Sequence, residues 1–260
     1  MHHFRVTIAY KGTRYFGWQA QSANTRNEAK PTIEGTLRNA LNTITRHQAC
    51  TVSCASRTDG GVHAQGQVAK ITLPIAIDAQ HLLQGLNSLL PTDIRILSCE
   101  ASTQAYQPNR HNAGKEYHYY FSVSEVDNTA VSEIAFHYFN VKPTFDPSLM
   151  REACKLFVGV HDFKCFSSHD KKRASTVREI FHCDILLANF GPLATNVYYL
   201  KIIGDGFLKH MVRYVMGALL ALDKQRISLQ DLSLALDGGE EFKLSAKAKA
   251  KGLHLMCVLD

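Results

Sequence analysis

The chain opens on an alternation of apolar and polar positions. Phe4, Val6, Ile8 and Tyr10 alternate with Arg5, Thr7 and Ala9, which puts one apolar face on a first strand. From Ser22 to Lys30 the chain is polar and without periodicity. Beyond Pro31, residues Ile33, Leu37, Leu41 and Ile44 recur at helical spacing. After Cys50 a strand-like run breaks at Thr58-Asp59-Gly60-Gly61 and resumes as a strand with Ala69, Ile71 and Leu73 on one face. Asp78 leads a helix that turns Leu82, Leu83, Leu86 and Leu90 inward and stops at Pro91. Ile94 to Cys99 and Tyr117 to Val123 read as further strands.

The second half starts with Asp146-Pro147, an N-cap followed by proline at the first helical position, and Leu149, Met150, Ala153, Cys154 and Phe157 form the apolar stripe. Strands at Thr176 to Leu187 and Val197 to Ile203 precede a helix predicted over Phe207 to Leu222. Ser228 with Asp231 predicts a capping box for one more helix ending at Gly238, and Leu253 to Leu259 a closing strand. Both halves interleave strands and helices in a similar order. The expected architecture is α+β: two related ferredoxin-like halves, residues 1–110 and 111–260. They share a mostly antiparallel sheet with helices on one face and a basic cleft between the halves.

Composition narrows the class. With 260 residues, 45% hydrophobic and 20% charged, disordered, collagen-like and coiled-coil readings fall away. Even Phe207 to Leu222, the longest apolar run, carries Lys209, His210 and Arg213, so a membrane span is not expected. The first residues lack the apolar core of a secretory signal. Seven scattered cysteines without a CxxC pair read as reduced thiols in a cytoplasm. The 13 histidines do not fall into metal-ligand spacing, so no metal site is expected. A formal charge of +6 and a pI near 8.9 make an anionic partner an open option. Basic residues gather at Lys164, Lys171, Lys172, Arg173 and Arg178, and again at Lys243, Lys247, Lys249 and Lys251; two solvated faces would account for them equally.

The densest polar cluster runs from Ser56 to Gln67 between two strands. Its paired glycines permit a tight turn and close approach of a ligand. An Asp-Gly turn alone is ordinary, but this one also carries Arg57, His63 and Gln67.

Arg57-Thr58-Asp59-Gly60-Gly61-Val62-His63-Ala64 resembles the RTDAGVHA motif of the TruA-type tRNA pseudouridine synthases, departing at Gly60, where alanine is usual. The resemblance extends over nearly the whole chain. Tyr10 to Gln19 is similar to the family's opening YDG.xFxGWQ segment, Thr32-Ile33-Glu34-Gly35 to TVQG, and Lys115 to Tyr119 to the KxYxY strand. His161-Asp162-Phe163 with Phe166 is similar to GxHDFxxF, Gly206 to Arg213 to GFLRHMVR, and Ala250 to Leu253 to the terminal AxxGL. Two further departures are a longer Ser22 to Lys30 link and Tyr214 where asparagine is common.

The resemblance implies an isomerase that breaks the N1-glycosidic bond of a tRNA uridine, rotates the uracil and rejoins it through C5, without cofactor or metal. Asp59 carries over as the nucleophile, a role that suits a carboxylate. Arg213 carries over as its ion-pair partner. Tyr117 carries over as the residue that stacks on the uracil and helps remove the C5 proton, and Arg57 as an aid to base flipping. Substrate contacts are further expected from His63, Lys11, Arg14 and Lys209, the last lying one helical turn before Arg213. The basic stretches would line the RNA path. The family also implies a homodimer and uridines 38 to 40 of the anticodon stem-loop. Two rivals remain: a catalytically inactive RNA-binding or chaperone protein of the same fold, and a two-carboxylate glycosidase, for which Asp59 has no sequence-evident acid partner.

Overall fold

The alternating N-terminal segment forms β1 (His2–Tyr10), with Phe4, Val6, Ile8 and Tyr10 buried. The computed structural model describes residues 1–20, 31–139, 145–168, 175–238 and 243–260. Two units emerge: Met1–Ala113 together with Leu255–Asp260, and Gly114–His254. In the first, β1 is followed by α1 (Ile33–Ile44), β2 (Thr51–Cys54), β3 (His63–Leu73), α2 (Ala79–Leu89) and β4 (Ile94–Ala101). The strands lie in the order β4-β1-β3-β2, each pair antiparallel.

Both helices start where side chains satisfy their first N–H groups. Thr32 Oγ1 accepts from the Gly35 N–H at 3.1 Å, and Asp78 from that of His81 at 2.9 Å. Ile33, Leu37, Leu41, Leu82 and Leu86 of the helices and Val6, Ile8, Ile71, Leu73 and Ile94 of the strands are all fully buried. Each contributes roughly 1.5–3 kcal/mol of burial.

The second unit contains β5 (Gly114–Val123), β6 (Phe136–Tyr138), α3 (Pro147–Leu156), β7 (Gly159–Asp162), β8 (Val177–Leu187), β9 (Val197–Gly204), α4 (Met211–Asp223) and α5 (Leu229–Leu236). Its strands run β5-β9-β8-β7, antiparallel, and β6 joins β5 in parallel. The last strand, β10 (Leu253–Leu259), begins in this unit and ends in the first. The fold is thus mixed α/β with a mostly antiparallel arrangement of strands. The Asp146 cap with Pro147 at the first helical position holds for α3. For α5 the Ser228 N–H donates to Asp231 Oδ2 at 2.8 Å and the Asp231 N–H to Ser228 Oγ at 3.2 Å. β6 and β7 are too short for alternation to reveal them.

One helix boundary corrects the sequence reading. The stripe Phe207, Met211, Val215 and Leu219 predicts a helix from Phe207, but α4 begins only at Met211. His210 stands at φ +64°, in the left-handed region, where a right-handed helix cannot pass. Ser168 holds this bend, pairing its Oγ with His210 Nδ1 at 2.6 Å and donating its N–H to the Lys209 carbonyl at 2.9 Å. Among the described residues, no helix is long and apolar enough to cross a membrane.

Candidate functional site

In the first unit, residues 55–62 link β2 to β3 and turn sharply at Asp59. The Val62 N–H donates to the Asp59 carbonyl at 3.2 Å, with Gly61 at φ +81°. Asp59 is half-buried and Arg57 exposed. Below the turn, Thr58 Oγ1 meets the Tyr10 hydroxyl at 2.8 Å. Gln67 Nε2 donates to the Ser56 carbonyl at 2.6 Å, and Gln67 Oε1 accepts the Ser56 N–H at 3.3 Å. The buried amide of Gln67 therefore replaces ladder bonds where the loop leaves the sheet.

Residues 12–18 are laced to this loop by backbone groups. The Trp18 N–H donates to the Thr58 carbonyl at 3.0 Å, and the Gly61 N–H to that of Tyr15 at 3.2 Å. Gly17, at φ +91°, comes so close that a Cβ there would lie 2.6 Å from the Thr58 oxygen. A Cβ on Gly12 would lie 1.9 Å from the Val62 oxygen. These contacts require glycine for approach as well as for φ at position 17. His63 is buried at 1% exposure, and its Nδ1 accepts the Gly12 N–H at 3.3 Å. Its place in the structure is thus beneath the loop, holding residue 12. Arg14 caps the assembly through Asp93, with Nη2 2.6 Å and Nε 2.9 Å from Oδ2, while Tyr15 donates its hydroxyl to Oδ1 at 2.7 Å. The Arg14 side chain is still 70% exposed, and Lys11 is exposed beside it in sequence.

In the second unit, Tyr117 sits on β5 with its ring edge-on to Phe207, centroids 5.1 Å apart. It shares a strand face with Lys115 and Tyr119. Arg213 lies in the first turn of α4, half-buried, its Nε–H donating to the Ala248 carbonyl at 2.8 Å while the Ala248 N–H returns to the Arg213 carbonyl at 2.9 Å. The same stretch takes the Tyr119 hydroxyl on the Lys249 carbonyl at 2.8 Å. Gly217, one turn beyond Arg213, lets it pass: a Cβ there would meet the Ala246 oxygen at 2.1 Å. Residues 246–249 therefore fix the guanidinium and orient the aromatic strand together. Burial pushes the Tyr119 hydroxyl well up despite the nearby Arg213 charge. Lys209 is exposed in the turn before α4, so its expected position on the helix one turn from Arg213 is corrected by the His210 bend.

The structure thus brings Lys11, Arg14, Arg57, Asp59 and His63 into two laced segments of one unit. Tyr117, Lys209 and Arg213 gather around Phe207 and α4 in the other. Lys247 and Lys249 are exposed, while Lys243 donates to the Lys164 carbonyl at 2.6 Å and Lys251 to that of Ser132 at 3.0 Å. Lys171, Lys172 and Arg173, like the Ser22 to Lys30 link, lie outside the described residues. Among the described residues no group of three His, Cys, Asp or Glu side chains could hold a metal.

Two features escaped the sequence reading. Lys115 is buried at 8% exposure, and desolvation lowers its pKa although Asp205 opposes the shift. On the opposite face of β5, His118 Nε2 contacts Glu116 Oε1 at 2.7 Å and its Nδ1 the Tyr120 hydroxyl at 3.1 Å, with Lys201 Nζ 3.3 Å from Glu116. Burial lowers His118 more than Glu116 raises it, so the imidazole is neutral, donates from Nε2 and accepts at Nδ1. The Glu116–His118 pair has a sequence signal in its period-2 spacing on β5, whereas the burial of Lys115 has none.

The sequence profile of the family described as tRNA pseudouridine synthase matches residues 6–107 and 153–259. A protein of Desulfotalea psychrophila named tRNA pseudouridine synthase A 2 is 62% identical over 258 residues, covering 98% of this chain and 98% of that one. A Protochlamydia amoebophila protein of the same name is 33% identical, covering 100% of this chain and 94% of its own length. The Thermodesulfovibrio yellowstonii tRNA pseudouridine synthase A is 32% identical with full coverage of both, 100% and 100%.

Proposed function

The chain belongs to the tRNA pseudouridine synthase family and is an isomerase acting on tRNA, and we propose that it converts uridines 38, 39 and 40 of the anticodon stem-loop to pseudouridine with Asp59 as nucleophile. The observation that carries the assignment is the Asp59 turn. The loop that carries half-buried Asp59 is held by main-chain bonds from Trp18 to Thr58 and from Gly61 to Tyr15, on both sides of it, so the segment meets a ligand without first having to be ordered. The reaction cleaves the N1–C1′ bond, turns the base, forms C5–C1′ and releases the C5 proton. Atoms are conserved apart from that exchange with water. Tyr117 supplies the ring for the uracil and Arg213 the cation, its orientation held by Ala248. Arg57, Lys11, Arg14 and Lys209 contact the RNA, with His63 acting from beneath through Gly12.

The two units read as related ferredoxin-like halves. The first follows β1-α1-β2-β3-α2 with β3 between β1 and β2, and the second β5-α3-β8-β9-α4 with β9 between β5 and β8. A homodimer follows the family, and the scattered odd set of cysteines favours a reducing cytoplasm.

Tritium release from tRNA labelled at uracil C5 tests the assignment, comparing wild type with Asp59→Ala and Asp59→Asn at matched folding and tRNA binding. Release by wild type alone is expected. Undiminished release by both variants would move the nucleophile elsewhere. No release by wild type from any anticodon-stem substrate that it binds would favour an RNA-binding protein.

A further inference from the structure

Phe16 stands out among the residues that frame the Asp59 turn. It is 46% exposed, whereas its neighbours Tyr15 and Trp18 are 6% and 2% exposed. Isolated exposed aromatic residues are common, but this one is fixed in place. Its N–H donates to the Pro31 carbonyl at 2.9 Å, and the flanking residues bind Thr58 and Gly61. A Cβ built on Gly60 would lie 3.5 Å from the Phe16 backbone, so the two chains run in contact one residue from Asp59. Gly17 locks the register, since no side chain fits there. The surrounding segments present Lys11, Arg14 and Arg57 to solvent.

An aromatic face among exposed cations is the composition that binds single-stranded nucleic acid: the cations take phosphates and the ring takes a base. Removing a uridine from its stack also leaves the neighbouring base without a partner. We infer that Phe16 is the stacking platform for the nucleobase flanking the target uridine, a role that rests on Asp59 acting at that uridine. Phe16 touches RNA but takes no part in bond making; it positions the strand.

The test compares wild type with Phe16→Ala, Phe16→Leu and Phe16→Trp, using an anticodon stem-loop RNA with the target uridine labelled at C5. A second RNA carries an abasic nucleotide beside the target. Phe16→Ala should raise KM roughly 5- to 150-fold, the range for loss of one base stack, with kcat little changed and the thermal midpoint preserved. Phe16→Trp should restore KM, and Phe16→Leu should not. The abasic RNA should cost wild type a similar factor and cost Phe16→Ala nothing further. Restoration by leucine equal to that by tryptophan, or an unchanged KM in Phe16→Ala, would overturn the inference while leaving the Asp59 reading intact. An inactive wild type would remove both.

Discussion

Two glycines, one in the Asp59 turn and one in the segment laced to it, should respond in opposite ways to the same added methyl. At Gly17, alanine must adopt φ +91°, which costs about 1–2 kcal/mol for a residue with a Cβ. The methyl would also lie 2.6 Å from the Thr58 carbonyl oxygen and 3.0 Å from the Asp59 carbonyl carbon, about 0.9 Å inside the roughly 3.5 Å of ordinary contact. Both obstacles are backbone, so no rotamer relieves them, and such overpacking costs a further 1–3 kcal/mol or so. Gly17→Ala should therefore lose roughly 2–5 kcal/mol. Its kcat/KM should fall on the order of 100-fold, because relief requires the Asp59 turn to move by about the 1 Å that misaligns a catalytic group. Gly60→Ala meets only Phe16 and Tyr15 backbone atoms at 3.5 to 3.6 Å. That is ordinary contact, and the methyl restricts the unfolded chain, so it should be neutral or stabilising by about 0.4–1 kcal/mol. Urea titrations of both variants, read as midpoints at constant slope, together with tritium release, measure these effects. A Gly17→Ala protein within about 0.5 kcal/mol of wild type, or equal losses from both substitutions, would refute the steric account of the turn.

Other outcomes follow from named groups. His118 binds its proton at lower pH in the folded chain than its ordinary 6.5, so between those values the unfolded state holds more protons and stability rises with pH. Its contribution is lost as pH falls below 6.5; His118→Gln should flatten the acid side of the thermal midpoint against pH, and an unchanged slope would argue against a buried neutral imidazole. Lys249 offers only its carbonyl to Tyr119 and leaves its side chain exposed. Lys249→Gln should therefore keep the fold and make log affinity for tRNA less steep in log salt by about 0.7–1; filter binding across salt concentrations would detect an unaltered slope.

What the sequence disclosed was local. Asp78, Asp146-Pro147 and the Ser228/Asp231 box mark helix starts because a cap and its N–H groups lie within three residues. Asp59 stood out because glycines, an arginine and a polar strand start crowd around it. The start of α4 was hidden, since Phe207 and Leu208 continue its apolar stripe and the residue that stops it, Ser168, lies far away in sequence. The clamp on the Asp59 loop was equally hidden: Tyr15 and Trp18 reach Gly61 and Thr58 through main-chain atoms, whose partners side-chain patterning does not reveal. Phe16 and Lys115 became visible only through burial, one half in water where a core residue belongs and the other nearly dry where a cation does not.

The path of β10 has a bearing on how the protein is made. The unit that carries Asp59 is finished by Leu255–Asp260, where Met256 lies against Gly66, Leu259 accepts the Ala113 N–H and Asp260 takes both Nη2 contacts from Arg5. A ribosome must therefore synthesise all of Gly114–His254 before the N-terminal unit receives its last strand, a delay on the order of ten seconds at ordinary translation rates. Until then β3 presents a strand edge without the neighbour it has in the native fold. Domain-by-domain folding during synthesis, the usual protection of long chains against aggregation, reaches completion for this half only once Leu255–Asp260 have been made.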